Sequence, residues 1–85
     1  MVTGAARGIG ATIARAFVAE GARVFVTDLE NSDGPALADE LGPKARWLSL
    51  DVRSEAQWEQ AMAEVTEHAD RLDVLVNNAG ITGLE

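Results

Sequence analysis

The chain has 85 residues, a formal net charge of −7 and a hydrophobic share of 47%. That length supports at most one small domain, and the apolar share is that of a globular chain rather than a disordered one. The acidic balance argues against nucleic acid or an anionic membrane as partner, and the absence of cysteine excludes disulfides and thiolate metal sites. With no leader-like opening and no apolar run of membrane length, the expectation is a soluble cytoplasmic protein.

Met1 to Gly10 reads M-V-T-G-A-A-R-G-I-G. Its glycines, Gly4, Gly8 and Gly10, stand between a very short β-branched run and a long amphipathic segment. This predicts a strand turning tightly into a helix. A helix start offers free N–H groups and a positive dipole end, which suit an anion such as pyrophosphate. The spacing G-x-x-x-G-x-G departs from the common dinucleotide fingerprint; its place between a strand and a helix favours the anion-binding reading over a purely structural turn.

Ile9 to Glu20 is predicted as a helix with Ile9, Ile13, Ala16, Phe17 and Val18 apolar, capped by Gly21. Arg23 to Asp28 is a β-branched and aromatic strand that ends on an acid. Asn31 to Pro35 is a turn cluster, and Ala36 to Leu41 a short helix closed by Gly42-Pro43. Ala45 to Val52 reads as the third strand. Ser54 opens the next helix, with Gln57 at capping-box spacing and Trp58, Ala61, Met62, Val65 and Ala69 on one face. Leu72 to Asn77 is the fourth strand, and Asn78-Ala79-Gly80 turns the chain. Alternating strands and helices with short loops predict parallel strands in one α/β doubly wound sheet, with four strands and three helices, the first strand incomplete.

Four points fall at the C-terminal strand ends, where such a sheet binds ligands. The first is the glycine loop. The second is Asp28, a carboxylate able to accept both hydroxyls of an adenosine ribose and to repel a 2′-phosphate, which favours NAD over NADP. Arg7 in the loop pulls the other way, or serves the pyrophosphate or the surface. The third is Asp51-Val52, an acceptor and an adjacent N–H that match an adenine edge, or a cap for the following helix. The fourth is the N-N-A-G turn, whose amides can tie strands together. His68 fits the helix dipole at a C-terminus. Trp47 and Trp58 are read as packing residues and the acids from Glu55 to Asp70 as a solvated face. No metal-ligand cluster is expected.

Together, T-G-A-A-R-G-I-G at Thr3 to Gly10, Asp28, Asp51-Val52 and N-N-A-G at Asn77 to Gly80 resemble the short-chain dehydrogenase/reductase family, in its single-domain branch with a Rossmann-type sheet. The resemblance covers essentially the whole chain. It implies that Arg7, Gly8 and Ile9, within the loop from Gly4 to Gly10, line the pyrophosphate and ribose of NAD. Asp28 would bind the adenosine ribose, with Leu29 as a shelf for adenine. Asp51 and Val52 would read the adenine edge, and Asn78, Ala79 and Gly80 would lie along the ribose side. Thr3 and Asn77 look like strand-linking residues.

In that family the catalytic serine, the Y-x-x-x-K tyrosine and lysine, and a further asparagine follow N-N-A-G. This chain has no tyrosine. The resemblance therefore implies the N-terminal, cofactor-binding third of an oxidoreductase acting on an alcohol or ketone, a homo-oligomer at full length and inactive as this piece. No catalytic residue is assigned. With its first strand reduced to about Met1 to Thr3, the piece is also expected to be cut at the front, marginally stable and a weak binder of NAD. Two rivals are a non-enzymatic dinucleotide-binding or interaction module and a methyltransferase, whose glycine loop usually has alternate glycines.

Overall fold

A computed structural model describes residues 1–69 and 72–79. The element order is α1 (Gly8–Ala19), β1 (Val24–Asp28), α2 (Gly34–Leu41), β2 (Ala45–Ser49) and α3 (Glu55–His68). Strands β1 and β2 pair in parallel, from Val24 opposite Ala45 to Asp28 opposite Ser49. On the other edge of β1, Val2 bridges Val26 and, in the opposite direction across the sheet, Val76. The spatial order is thus β2, β1, Met1–Thr3, then the segment around Val76. The opening segment is central, as the α/β reading requires.

Burial explains this arrangement. Val24, Phe25, Val26 and Thr27 are all buried, the signature of a parallel strand covered on both faces. Val24 and Val26 join Val2, Ala11, Ala14 and Leu37 in one cluster, so α1 and α2 lie on one face. Phe25 joins Met1, Leu48, Leu50, Ala61 and Val65 in the second, so α3 covers the other. Period-2 alternation in β1 sends successive side chains to opposite layers. An exposed ion pair from Arg15 to Glu40 joins α1 to α2.

The helix ends follow their sequence signals. After α1, the N–H of Gly21 donates to the Val18 carbonyl at 2.9 Å and that of Ala22 to Phe17 at 3.0 Å, a paired closure that satisfies carbonyls of the last turn. Helix α2 begins at Gly34, before the expected Ala36. Pro35 fits the first turn because no N–H partner is needed there, and Ser32 Oγ accepts the Gly34 N–H at 3.2 Å. At α3, Ser54 Oγ accepts the Gln57 N–H at 3.2 Å, which is half of the expected capping box. The other half is absent: Gln57 Oε1 accepts the N–H of Asp51 at 2.7 Å instead.

Three further expectations are corrected. Strand β2 ends at Ser49, not Val52, because β1 ends opposite it; one more bond, Leu50 N–H to Asp28 O at 2.8 Å, precedes the turn into α3. The segment expected as a fourth strand makes only the bridge at Val76 among the described residues, since Met1–Thr3 offers it a short partner. In α1, Ile9 and Ala16 point outward, Ile9 with 72% exposure, while Gly10, Ala11 and Ala14 face the sheet. Small residues let the helix approach the strands closely. The α3 face is as expected, with Ala61 and Val65 buried and Trp58, Met62 and Ala69 packed beside them. Among the described residues no helix is long and apolar enough to cross a membrane.

Candidate cofactor site

The site is assembled at the C-terminal ends of the strands. Gly4 and Gly8 both adopt left-handed backbone, at φ +61° and +62°, which an L side chain resists. They swing the chain out of the sheet and into α1 within a few residues. Arg7 is the N-cap of α1 in extended conformation, and its side chain makes no capping bond. The first N–H groups of α1 therefore have neither intrahelical nor side-chain partners there. Around Gly8, apart from its chain neighbours and its own helix backbone, nothing lies within 4 Å of where a Cβ would stand, so this part of the loop is open.

Gly4 and Gly10 are crowded instead. A Cβ on Gly4 would come within 2.9 Å of Ala79 Cα, and one on Gly10 would run into the Gly4 carbonyl and lie 2.7 Å from Asn78 Nδ2. Asn78 Nδ2 donates to the Gly4 carbonyl at 3.2 Å. Beneath this contact Thr3 Oγ1, fully buried, accepts the N–H groups of Asn78 and Ala79 at 3.0 and 3.1 Å and lies 3.3 Å from Asn77 Oδ1. Thr3 and Asn77 thus link strands, and Asn78 and Ala79 are held against the glycine loop. Gly80 lies outside the described residues.

Asp28 sits across from the loop. Its Oδ2 accepts the Ala6 N–H at 2.9 Å and its Oδ1 accepts the Leu29 N–H at 2.7 Å. A cleft of about 310 Å³ opens here, lined by Ala6, Arg7, Asp28, Leu29, Asn31, Ser32 and Asp33. Leu29 presents an apolar side chain with 47% exposure beside it. Asp51 stands on the same edge of the sheet, one strand over. Its carboxylate takes the Arg53 N–H and Nε at 3.0 Å and Nη2 at 2.9 Å. The guanidinium and the backbone N–H of Arg53 hold the Asp51 carboxyl down to about 2, and the same pairing raises the Arg53 guanidinium. Val52 fixes the turn by accepting Trp58 Nε1 at 2.8 Å.

The structure thus brings together Gly4, Gly10, Asn78 and Ala79 in one knot, and Ala6, Arg7, Asp28 and Leu29 around one cleft. Ile9 is at the exposed start of α1. Ala6 and Arg53 join the site without having been expected from the sequence. Ala6 acts through its N–H, which carries no side-chain signal, whereas an acid two residues before Arg53 is a recognisable turn signal. Among the described residues no cluster of three or more potential metal ligands occurs.

Comparison with known proteins decides the family. The model of the short chain dehydrogenases matches residues 1–85. The chain belongs to the short-chain dehydrogenase/reductase family. It is 46% identical over 84 residues to a 3-alpha-(or 20-beta)-hydroxysteroid dehydrogenase of Mycobacterium tuberculosis, covering 99% of this chain and 32% of that protein. It is 43% identical over 81 residues to a 3-beta-hydroxysteroid dehydrogenase of Comamonas testosteroni, covering 95% and 32%. With a sorbitol dehydrogenase of Cereibacter sphaeroides the identity is 42% over 84 residues, covering 99% and 33%. The chain spans about a third of the length of these relatives. The family is one of oxidoreductases that use nicotinamide cofactors on alcohols and ketones, and membership gives the methyltransferase alternative no support.

Proposed function

We propose that residues 1–85 form the NAD-binding part of a dehydrogenase that interconverts a secondary alcohol and a ketone. The observation that carries this reading is the cleft between Ala6-Arg7 and Asp28-Leu29, opening beside the start of α1. A dinucleotide fits these residues. The α1 N–H groups suit the diphosphate, Asp28 the adenosine ribose, Leu29 the adenine face, and Asp51-Val52 the adenine edge. Asn78, Ala79 and Gly80 are assigned to the ribose side of the cofactor. When bound, the nicotinamide supplies the hydride acceptor or donor.

The Asp28 carboxylate favours NAD, since it would repel a 2′-phosphate. We assign no catalytic residue to this chain, which contains no tyrosine. The 85 residues alone are expected to give no turnover. The whole protein is read as a cytoplasmic homo-oligomer acting on a small alcohol or ketone, the steroid and sugar-alcohol names of its relatives marking the range of candidates. Because the tyrosine is absent, a dinucleotide-binding module without turnover is the second reading for this polypeptide alone.

Titration calorimetry with NAD, NADP and S-adenosylmethionine tests the assignment. Binding of NAD that exceeds NADP by about tenfold or more is expected, as repulsion between a carboxylate and a phosphate at close range is worth more than 1.4 kcal/mol or so. Tighter binding of NADP would overturn the NAD assignment, and binding of S-adenosylmethionine alone would overturn the function.

A further inference from the structure

We propose that Asp28 is a positioning residue for the glycine loop, setting the anion-binding start of α1 from the end of β1. This inference rests on the cofactor reading for its functional consequence, but its geometry stands apart from any ligand. The main chain ties loop to strand at one point, Ala5 N–H to Thr27 O at 2.9 Å. One residue further the backbones diverge, and the Asp28 side chain continues the connection by accepting the Ala6 N–H at 2.9 Å. The same carboxylate accepts Leu29 N–H at 2.7 Å, so its two oxygens clamp both walls of the cleft. Immediately beyond Ala6 lie Arg7, the N-cap, and Gly8, the first residue of α1.

A carboxylate has about four acceptor positions, of which two are used here. One remains on each oxygen, enough for a ribose diol. Holding the loop and reading the ribose are therefore compatible, and a single group couples the adenosine end of the site to its diphosphate end. A neutral residue introduced at position 28 to admit a 2′-phosphate would also release the loop.

Charge gives the inference a sharp test. If Asp28 acted on the diphosphate only through its field, removing it would strengthen the binding of an anion. If it positions the loop, removal weakens that binding. The probe is inorganic pyrophosphate, which has no ribose, titrated into the full chain and into its Asp28→Ala and Asp28→Asn variants, with amide hydrogen exchange measured without ligand.

In Asp28→Ala we expect pyrophosphate affinity to fall about three- to tenfold and Ala6 N–H exchange to accelerate about tenfold, the scale of losing a bond to a charged acceptor. Asp28→Asn keeps the shape and one acceptor oxygen, and should fall between. It also serves if the alanine variant does not fold. Unchanged or tighter pyrophosphate binding, or unchanged Ala6 exchange, overturns the proposal, as does unfolding of both variants. Pyrophosphate binding lost on substitution, with no preference of the parent chain for NAD over NADP, leaves the positioning role standing and removes the NAD assignment.

Discussion

The side-chain amide of Asn78 donates to the carbonyl of Gly4 at 3.2 Å, and Gly10 lies against both groups with no room for a methyl. Three of the residues that carry the family resemblance therefore meet in one contact. The helix start, the loop and the turn after the last strand segment fix one another.

Gly10→Ala tests that contact. The added Cβ meets a backbone carbonyl, which cannot swing aside as a long side chain would. We expect a loss of about 1–3 kcal/mol in urea unfolding, the scale of overpacking, together with weaker NAD binding. Wild-type stability in this variant would mean that α1 sits further from the loop than described.

Thr3→Val keeps the shape and removes the hydroxyl. The Ala79 N–H then has no acceptor there, and that of Asn78 keeps only its bond to Val76 O at 3.1 Å. The expected cost is about 1–3 kcal/mol, with faster amide exchange at Ala79, and Thr3→Ser should recover most of it. Equal exchange in the valine and serine variants would contradict the role.

Gly34 is packed under the indole of Trp47, where a Cβ would overlap the ring. Gly34→Ala should cost about 1–3 kcal/mol by displacing Trp47 from β2. A double-mutant cycle with Trp47→Leu is the check: most of the penalty should disappear once the ring is gone, and additive losses would refute the contact.

The Asp51–Arg53 pair carries a pH dependence. Asp51 binds its proton less readily folded, at about 2, than at its ordinary 3.8. The unfolded chain therefore takes up the proton first as pH falls, so the contribution of the pair is complete above about 4 and lost by about 2. A carboxyl-carbon NMR titration of Asp51 should show the depressed midpoint, and Arg53→Gln should return it toward 3.8. A midpoint that does not move in the variant would exclude the guanidinium as cause.

Local sequence signals hold wherever neighbouring residues supply both partners. Gly21 closes α1, Ser54 caps α3, and β1 shows its buried β-branched run, because propensity and capping act within a few residues. The structure departs from the local pattern where a remote partner decides. Gln57 satisfies Asp51 rather than its own cap, Ile9 faces outward while Ala11 and Ala14 face the sheet, and among the described residues Leu72–Asn77 makes one bridge, at Val76, against the short Met1–Thr3 segment.

The sequence by itself determined the α/β order and the family, since T-G-A-A-R-G-I-G, Asp28, Asp51-Val52 and N-N-A-G are patterns of residue type and spacing. Only the tertiary structure decided what these residues do first to one another. Asp28 clamps Ala6 and Leu29, Asp51 binds Arg53, and Asn78 meets Gly4 across 74 positions of chain. Backbone N–H and C=O groups are the same at every residue but proline, so a sequence cannot show which of them a side chain will reach. That choice is made by the packing of strands and helices, which brings distant backbone into hydrogen-bond range.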